Sequence, residues 1–215
     1  MKKSENKSKT SSKNSGSGIL IIFSAPSACG KTPIVDRLLK RHGDWVRSVS
    51  VTTRTPRSGE KDGEDYRFVT PKQFSEMEAG GELLESAKVF DQWYGTPKRF
   101  VLEALESGRE VILAIDVQGA KKIRQGIGRE AALLSFFILP PSIKALRDRL
   151  EARGTESAGE IERRMDVAQD EIKDAGSYDH AVVNQNLDQT ILEVEEMIQD
   201  FKNKRSKKNN ALHLS

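Results

Sequence analysis

The chain has almost no cysteine, few histidines and no long apolar run, and each shortage removes a class of protein. With one cysteine, Cys29, among 215 residues there is no internal disulfide, and a reducing compartment is expected. The three histidines, His42, His180 and His213, are scattered, so no metal cluster of Cys and His is foreseen and none is assigned to catalysis. No apolar stretch approaches the roughly 18 to 20 residues that cross a bilayer. The first residues lack the apolar centre of a secretory signal, and they are lysine-rich without arginine, unlike an organelle transit peptide. These absences lead to the expectation of a soluble cytoplasmic protein, one medium domain without internal repeats.

Net charge is +3, but the basicity sits at the ends. Residues 1–17 hold five Lys against one Glu, and residues 201–215 hold four Lys and one Arg, which leaves the interior of the chain net acidic. Both ends are rich in Lys, Ser and Asn, so basic, disordered tails are predicted at 1–17 and 204–215, around a domain over 18–203. Weak attraction to RNA or a membrane surface is the alternative to simple solvation. The tails give no warrant for a specific nucleic-acid partner.

What is present is organised around residues 19–39. Five apolar residues, Ile19 to Phe23, read as a strand buried on both faces, and apolar positions 34, 35, 38 and 39 recur at helical spacing. Between them Ala25-Pro26-Ser27-Ala28-Cys29-Gly30-Lys31-Thr32 must be a strand-to-helix turn. Such a turn aims successive backbone N–H groups from the positive end of a helix, where phosphates bind. Gly30 admits close approach, Lys31 offers a mobile charge, and Thr32 offers a hydroxyl to Mg²⁺. The pattern is G-x-x-x-x-G-K-[ST] with Ala25 in place of the first glycine. Pro33 is tolerated in the first helical turn, where its missing N–H has no partner to lose. Cys29 is read as a small filler of this loop, with an oxidation-sensitive thiol as the alternative.

Residues 47–51 alternate as a half-buried strand should. A polar, turn-rich run over 52–66 then carries Arg54 and Arg57, whose forked guanidinium groups suit a second phosphate site; taken alone, two loop arginines are as readily just solvated. Tyr66 to Val69 reads as a short strand, Thr70-Pro71 as the start of a helix ending near Gly80, and Trp93 to Thr96 as a turn. Glu85 lies within a mostly apolar stretch, facing either solvent or a ligand. A helix is expected over 98–107, a core strand over 111–115 ending at Asp116, and a third over 131–139. Asp116 therefore lies at the edge where open α/β sheets bind ligands. Ile143, Leu146 and Leu150 make a helical core face. The polar, arginine-bearing segment through Arg164 reads as a mobile flap, or else as a salt-bridged surface helix pair. Residues 181–183 form a last strand ending at Asn184, before a helix through Phe201. Strands alternating with helices mean an α/β fold with a mostly parallel sheet flanked by helices.

With these segments placed, the chain resembles the guanylate kinases over about residues 18–203. The resemblance is carried by Ser-Ala-Pro-Ser-x-x-Gly-Lys-Thr at 24–32, Ser-Val-Thr-Thr-Arg-Thr-Pro-Arg-x-Gly-Glu at 50–60, Asp-Tyr at 65–66, Tyr-Gly-Thr at 94–96, Ile-Asp-Val-Gln-Gly at 115–119 and Arg-Gly-Thr-Glu-Ser at 153–157. It implies a P-loop core (18–49, 101–148 and 166–203), an inserted GMP-binding region (50–100) and a helical lid (149–165). It also implies transfer of the ATP γ-phosphoryl group to GMP, and to dGMP, with Mg²⁺, by a monomer or homodimer without nucleic-acid or membrane partners.

By the same resemblance Ala25 to Thr32 cradle ATP, with Thr32 on the metal and Asn184 beside the adenine. Arg54, Arg57, Tyr66 and Tyr94 hold the GMP phosphate, and Glu60 belongs to that motif. Ser50, Glu85 and Thr96 read or border the guanine, and Asp116 adds a base contact or a contact to a metal-bound water. Lys31, Arg149, Arg153 and Arg164 are implied as catalytic and lid cations. The chemistry suits these roles, since phosphoryl transfer needs two nucleotides held in line and charge neutralised on the moving group. A carboxylate at Glu85 accepts from the N1–H and 2-amino donors of guanine, which adenine lacks there, so AMP would leave it buried and unpaired.

Three positions depart from the family pattern. Ala28 replaces a glycine, so the backbone angle a glycine takes is expected to be closed to it. Pro33 replaces a Ser or Thr, removing an N–H and a hydroxyl just beyond the magnesium ligand, and Ala114 replaces the first carboxylate of an Asp-x-Asp pair, for which lowered turnover is expected. Two other readings compete: a non-catalytic guanylate-kinase-like module binding phosphopeptides, and a related small kinase for another phosphorylated substrate.

Overall fold

The computed structural model describes residues 18–126, 131–152, 154 and 157–212. At its centre β1 (Ile19–Ser24) is buried at every position. Ile19, Ile21 and Phe23 enter one apolar cluster while Leu20 and Ile22 enter another, as the two-residue strand period requires. A strand with both faces covered needs helices on both sides, and the rest of the chain supplies them.

The phosphate-loop turn leads into α1 (Lys31–Arg41), then β2 (Val46–Arg47), β3 (Val51–Thr52), β4 (Arg67–Phe68), α2 (Pro71–Ala79), β5 (Leu83–Val89) and β6 (Gln92–Pro97). There follow α3 (Lys98–Glu106), β7 (Glu110–Ala114), α4 (Val117–Gly126), β8 (Ala132–Leu139) and α5 (Ile143–Ala152). The chain closes with α6 (Ala158–Lys173), a 3-10 turn (Asp174–Ser177), β9 (His180–Val183) and α7 (Leu187–Leu212). The larger sheet has the order β2-β7-β1-β8-β9 and is parallel throughout. The chain leaves β1 toward β2 on one side and later crosses from β7 to β8 on the other, which makes the carboxyl end of β1 the topological switch point where such sheets bind ligands.

One face of this sheet packs on α1, α5, α6 and α7 through Ile34, Leu38, Leu146, Met165 and Val194, and the other on α3 and α4 through Val101, Leu105 and Ile123. A second sheet, β4-β3-β6-β5, is small and mixed, with β6 antiparallel to both of its neighbours. It rests on α2 through Val51, Phe74 and Met77. The expected start of α2 is borne out: Thr70 and Gln73 form a reciprocal capping box ahead of Pro71.

Three sequence expectations change. The single strand predicted over 47–51 is divided, with Val46–Arg47 in the large sheet and Val51–Thr52 in the small one. The alternation was real, but its two ends serve different sheets. Trp93 to Thr96, expected as a turn, is strand β6; the turn is Phe90-Asp91, both left-handed with φ of 45° and 64°. A two-residue hairpin loop needs this geometry, normally signalled by Asn-Gly or Asp-Gly, and Phe-Asp hides it. The C-terminal residues expected to be disordered continue α7 to Leu212. Lys and Arg are good helix formers, and extending an existing helix avoids nucleation. Lys202 pairs with Glu110 at 2.5 Å and Arg205 donates to the Gly18 carbonyl at 3.3 Å, tying the extension down. The N-terminal tail, residues 1–17, lies outside the described residues.

Candidate active site

The turn after β1 is held in left-handed steps. Gly30 has φ 89° and forms the N-cap of α1, and Ala28 has φ 66°. The angle expected to be closed to Ala28 is therefore adopted, at a cost of about 1 kcal/mol for an L residue. Pro33 is the third residue of α1, inside the first turn, where it leaves the helix intact. Lys31 Nζ reaches across to donate to the Ile115 carbonyl at the end of β7, at 2.9 Å. Desolvation lowers the Lys31 pKa, and the nearby charges of Asp116 and Glu171 oppose that shift.

Asn184, at the end of β9, lies against this turn. Its Nδ2 donates to the Cys29 carbonyl at 3.0 Å, its Oδ1 accepts from Thr190, and its own carbonyl accepts from Arg149 at 3.1 Å. A Cβ on residue 30 would collide with that amide, so glycine is needed there for space as well as for backbone angle.

Across the gap, Arg54 makes a two-point pair with Glu60: NH1 to Oε2 at 2.8 Å and NH2 to Oε1 at 2.9 Å. Glu60 also accepts from the Arg57 backbone N–H at 2.7 Å, which shapes the loop. Burial works against the Arg54 charge, but hydrogen bonds to Glu60 and Tyr94 outweigh it and raise the pKa. The same Arg54 contact holds Glu60 below the usual carboxylate range. The guanidinium carbon of Arg54 stands 5.2 Å from the Tyr66 ring centre, and Tyr66 meets Tyr94 edge-on at 6.0 Å.

Glu85 and Thr96 are cross-strand partners on β5 and β6, and Thr96 Oγ1 donates to Glu85 Oε1 at 2.7 Å. Burial pushes the Glu85 carboxyl up to about 7; the Thr96 bond resists the shift and the charge of Asp116 adds to it. Asp116 Oδ1 accepts the N–H groups of Gln118 at 2.7 Å and Gly119 at 3.1 Å, fixing the start of α4. Glu171 on α6 is also raised to about 7 by burial, moderated by Lys31.

The segment expected as a flap forms the end of α5 and the start of α6. Ser157 and Glu160 make a second capping box there. Arg164 NH1 donates to Ser27 Oγ at 3.0 Å, and the guanidinium groups of Arg164 and Arg163 lie 4.7 Å and 5.6 Å from the Phe90 ring centre at the β5–β6 hairpin tip. Arg153 lies outside the described residues.

A single cleft of about 450 Å³ gathers most of these groups. Residues 25 to 32, Ser50, Arg54, Arg57, Tyr66, Glu85, Tyr94, Asp116 and Arg164 line it. Glu60, Thr96, Asn184 and Arg149 are not among the lining; the first three are bonded to lining groups, and Arg149 is bonded to the Asn184 carbonyl, one step further back. Sequence reasoning did not select Glu171 or Phe90, which also line the cleft. Glu171 carried a legible signal, a charge three residues beyond Ala168 on the stripe Ile161, Met165, Ala168 that packs into the core. Phe90 carried none, because its role follows from a turn whose residues give no turn signature.

A family model described as guanylate kinase matches residues 17–201. A guanylate kinase of Wolbachia sp. subsp. Brugia malayi is 46% identical over 189 residues, covering 88% of this chain and 96% of that protein. A guanylate kinase of Clostridioides difficile is 42% identical over 195 residues, covering 91% and 94%. Among solved structures, the crystal structure of guanylate kinase from Anaplasma phagocytophilum is similar with a TM-score of 0.73 and 31% identity, covering 86% of each chain.

Proposed function

The chain belongs to the guanylate kinase family, and on that premise we propose that it transfers the γ-phosphoryl group of ATP to GMP across the cleft between its two sheets. The observation that carries this reading is that Gly30-Lys31-Thr32 and Arg54/Arg57 line one cavity, with Tyr66 against Arg54 and Glu85 in the same lining. Two anion cradles facing one gap are what in-line transfer between two nucleotides requires.

In this reading the turn at 25–32 holds the ATP phosphates on backbone N–H groups, and Lys31 leaves the Ile115 carbonyl to meet the outer phosphates. Arg54, Arg57, Tyr66 and Tyr94 hold the GMP phosphate, with Glu60 keeping Arg54 in place. Glu85, supported by Thr96 and bordered by Ser50, reads the guanine edge. Arg164, with Arg149 and Arg153 near it in sequence, neutralises charge on the moving group and helps to exclude water. The GMP phosphate is already an anion, so no general base is needed. Asn184 supports the loop from behind through the Cys29 carbonyl and stands beside the adenine. Residues 50–100 act as the GMP-binding region and 149–165 as the lid.

The oxygen donors at hand suit Mg²⁺: Thr32 is exposed on the first turn of α1 and lines the cleft with Asp116. Among the described residues no three His, Cys, Asp or Glu groups converge as a protein cage, and Mg²⁺ commonly takes phosphate oxygens and waters beside one or two protein ligands. Thr32 would hold the ion directly and Asp116 through water, and the ion would neutralise phosphate charge. No helix among the described residues is long and apolar enough to cross a membrane, and the reading includes a cytoplasmic location. The test is a panel of GMP, dGMP, AMP, UMP and sugar phosphates with Mg-ATP and coupled ADP detection, with Lys31→Ala as control. ADP formation with GMP that exceeds the control and the other substrates is expected; no GDP above the control would end the proposal.

A further inference from the structure

Gly119 sits in the first turn of α4, where an alanine would favour the helix. Its φ is outside the left-handed region, so the backbone does not call for glycine. What calls for it is Glu85. A Cβ built on Gly119 would lie 2.6 Å from Glu85 Oε2, 3.0 Å from its Cδ and 3.4 Å from its Oε1, and these are its three nearest neighbours. The Glu85 carboxylate is thus held from two sides, by the Thr96 hydroxyl on Oε1 and by the bare backbone of α4 against Oε2. Glu85 and Thr96 are 7% and 0% exposed, so the direction open to a displaced carboxylate is into the cleft that Glu85 lines. The first turn of α4 is fixed in turn by Asp116, which accepts from the Gly119 N–H.

We propose that Gly119 is a specificity-positioning residue: the space left by its missing side chain sets where the Glu85 carboxylate stands, and through it the preference for guanine over adenine. The proposal rests on Glu85 as the guanine reader. A methyl group at 119 displaces the carboxylate from the line of the two guanine donors, and a hydrogen-bonding site that is misplaced loses more for its own substrate than for one that never used it. Core and phosphate loop are untouched, so ATP binding is unaffected.

The experiment compares the full chain with Gly119→Ala, Glu85→Asp, the double variant and Glu85→Gln, measuring kcat/KM for GMP and AMP, KM for ATP, and the unfolding midpoint. For Gly119→Ala a fall of about tenfold in the GMP over AMP ratio is expected, with KM for ATP within about twofold and the midpoint unchanged or raised. In the double variant the shorter carboxylate fits beside the methyl, so the combined loss is smaller than the product of the single losses. An unchanged ratio for Gly119→Ala while Glu85→Gln lowers it overturns the role of Gly119 alone. So does a lowered midpoint with equal losses for ATP and GMP, which marks a structural glycine, or losses that simply multiply in the double variant. An unchanged ratio in Glu85→Gln removes the guanine-reading role of Glu85, and with it this inference.

Discussion

The side-chain amide of Asn184 fills the place a Cβ would take on Gly30, 154 residues away in sequence, and bonds the neighbouring Cys29 carbonyl at 3.0 Å. The end of β9 thereby props the phosphate loop from behind. Replacing Asn184 with Ala removes the amide donor from the buried Cys29 carbonyl and opens a gap under Gly30. We expect a loss of about 1–2 kcal/mol in denaturant unfolding and a rise of about tenfold in KM for ATP, with KM for GMP within about twofold. Equal effects on both nucleotides would show that Asn184 supports the fold generally and not this loop.

Ala28 occupies a left-handed step that glycine takes at no steric cost. Ala28→Gly relieves that strain but gives the unfolded chain more freedom, so the two effects partly cancel. The expected net gain is about 0.5–1 kcal/mol by chemical unfolding, with KM for ATP unchanged or lower. A destabilised variant would show that the Ala28 methyl makes packing contacts worth more than the strain.

Glu85 titrates near pH 7 in the ligand-free protein because burial disfavours its charge. Its folded pKa lies above its unfolded one, so the folded state holds the proton more tightly. The stability this confers is present at acidic pH and is lost as pH rises from about 4.5 to 7, an effect on the order of 3 kcal/mol. Glu171 acts in the same sense over the same window. In Glu85→Gln the Glu85 share disappears, so the variant gains stability relative to the parent between pH 5 and 8. Guanine donors favour the charged form, so GMP binding by the parent should release a proton near pH 7, beyond any release seen with the variant. Calorimetry in buffers of different ionisation enthalpy reads this directly, and identical proton release in both proteins would contradict it.

Phe90 holds a left-handed backbone at the hairpin tip while its ring receives Arg163 and Arg164. Asn tolerates that backbone better than Phe but offers no aromatic face. Phe90→Asn is expected to leave thermal stability unchanged or higher while lowering kcat/KM about threefold to tenfold, the value of one or two exposed cation–π contacts. A less stable variant with unaltered kcat/KM would remove the tip from the closing of the lid.

The parts of the fold legible in the sequence were those where one periodicity serves one surface. β1, β7 and β8 announced themselves as continuous apolar runs, and α1 and α5 as stripes at three- and four-residue spacing. What stayed hidden depended on tertiary partners. The alternation over 47–51 gave no sign of changing sheets, and the hairpin lacked turn chemistry at Phe90-Asp91. In α7 the polar end is secured by Glu110 and the Gly18 carbonyl, which are remote in sequence. The site was legible where a motif names the atoms needed, as at Gly30-Lys31-Thr32 and Arg54/Arg57. It was not legible where a residue reaches the cleft through an unsignalled turn, as Phe90 does, and the support that Asn184 gives the Cys29 carbonyl from behind was hidden as well.

The division of residues 46–52 between the two sheets bears on how the halves of the molecule can move. The Ser48 N–H is bonded to Ile112 of the large sheet and the Ser50 carbonyl to Arg67 of the small one, leaving Val49 as the single step between two ladders on that side. A swing of the small sheet toward the phosphate loop can be taken up by torsion about that step with no repacking of Val51, Phe74 and Met77, while Leu84 and Glu85 of β5 slide on the α3 and α4 side of the large sheet. The molecule can thus behave as two stiff plates on a short pivot, bringing donor and acceptor together without melting either plate.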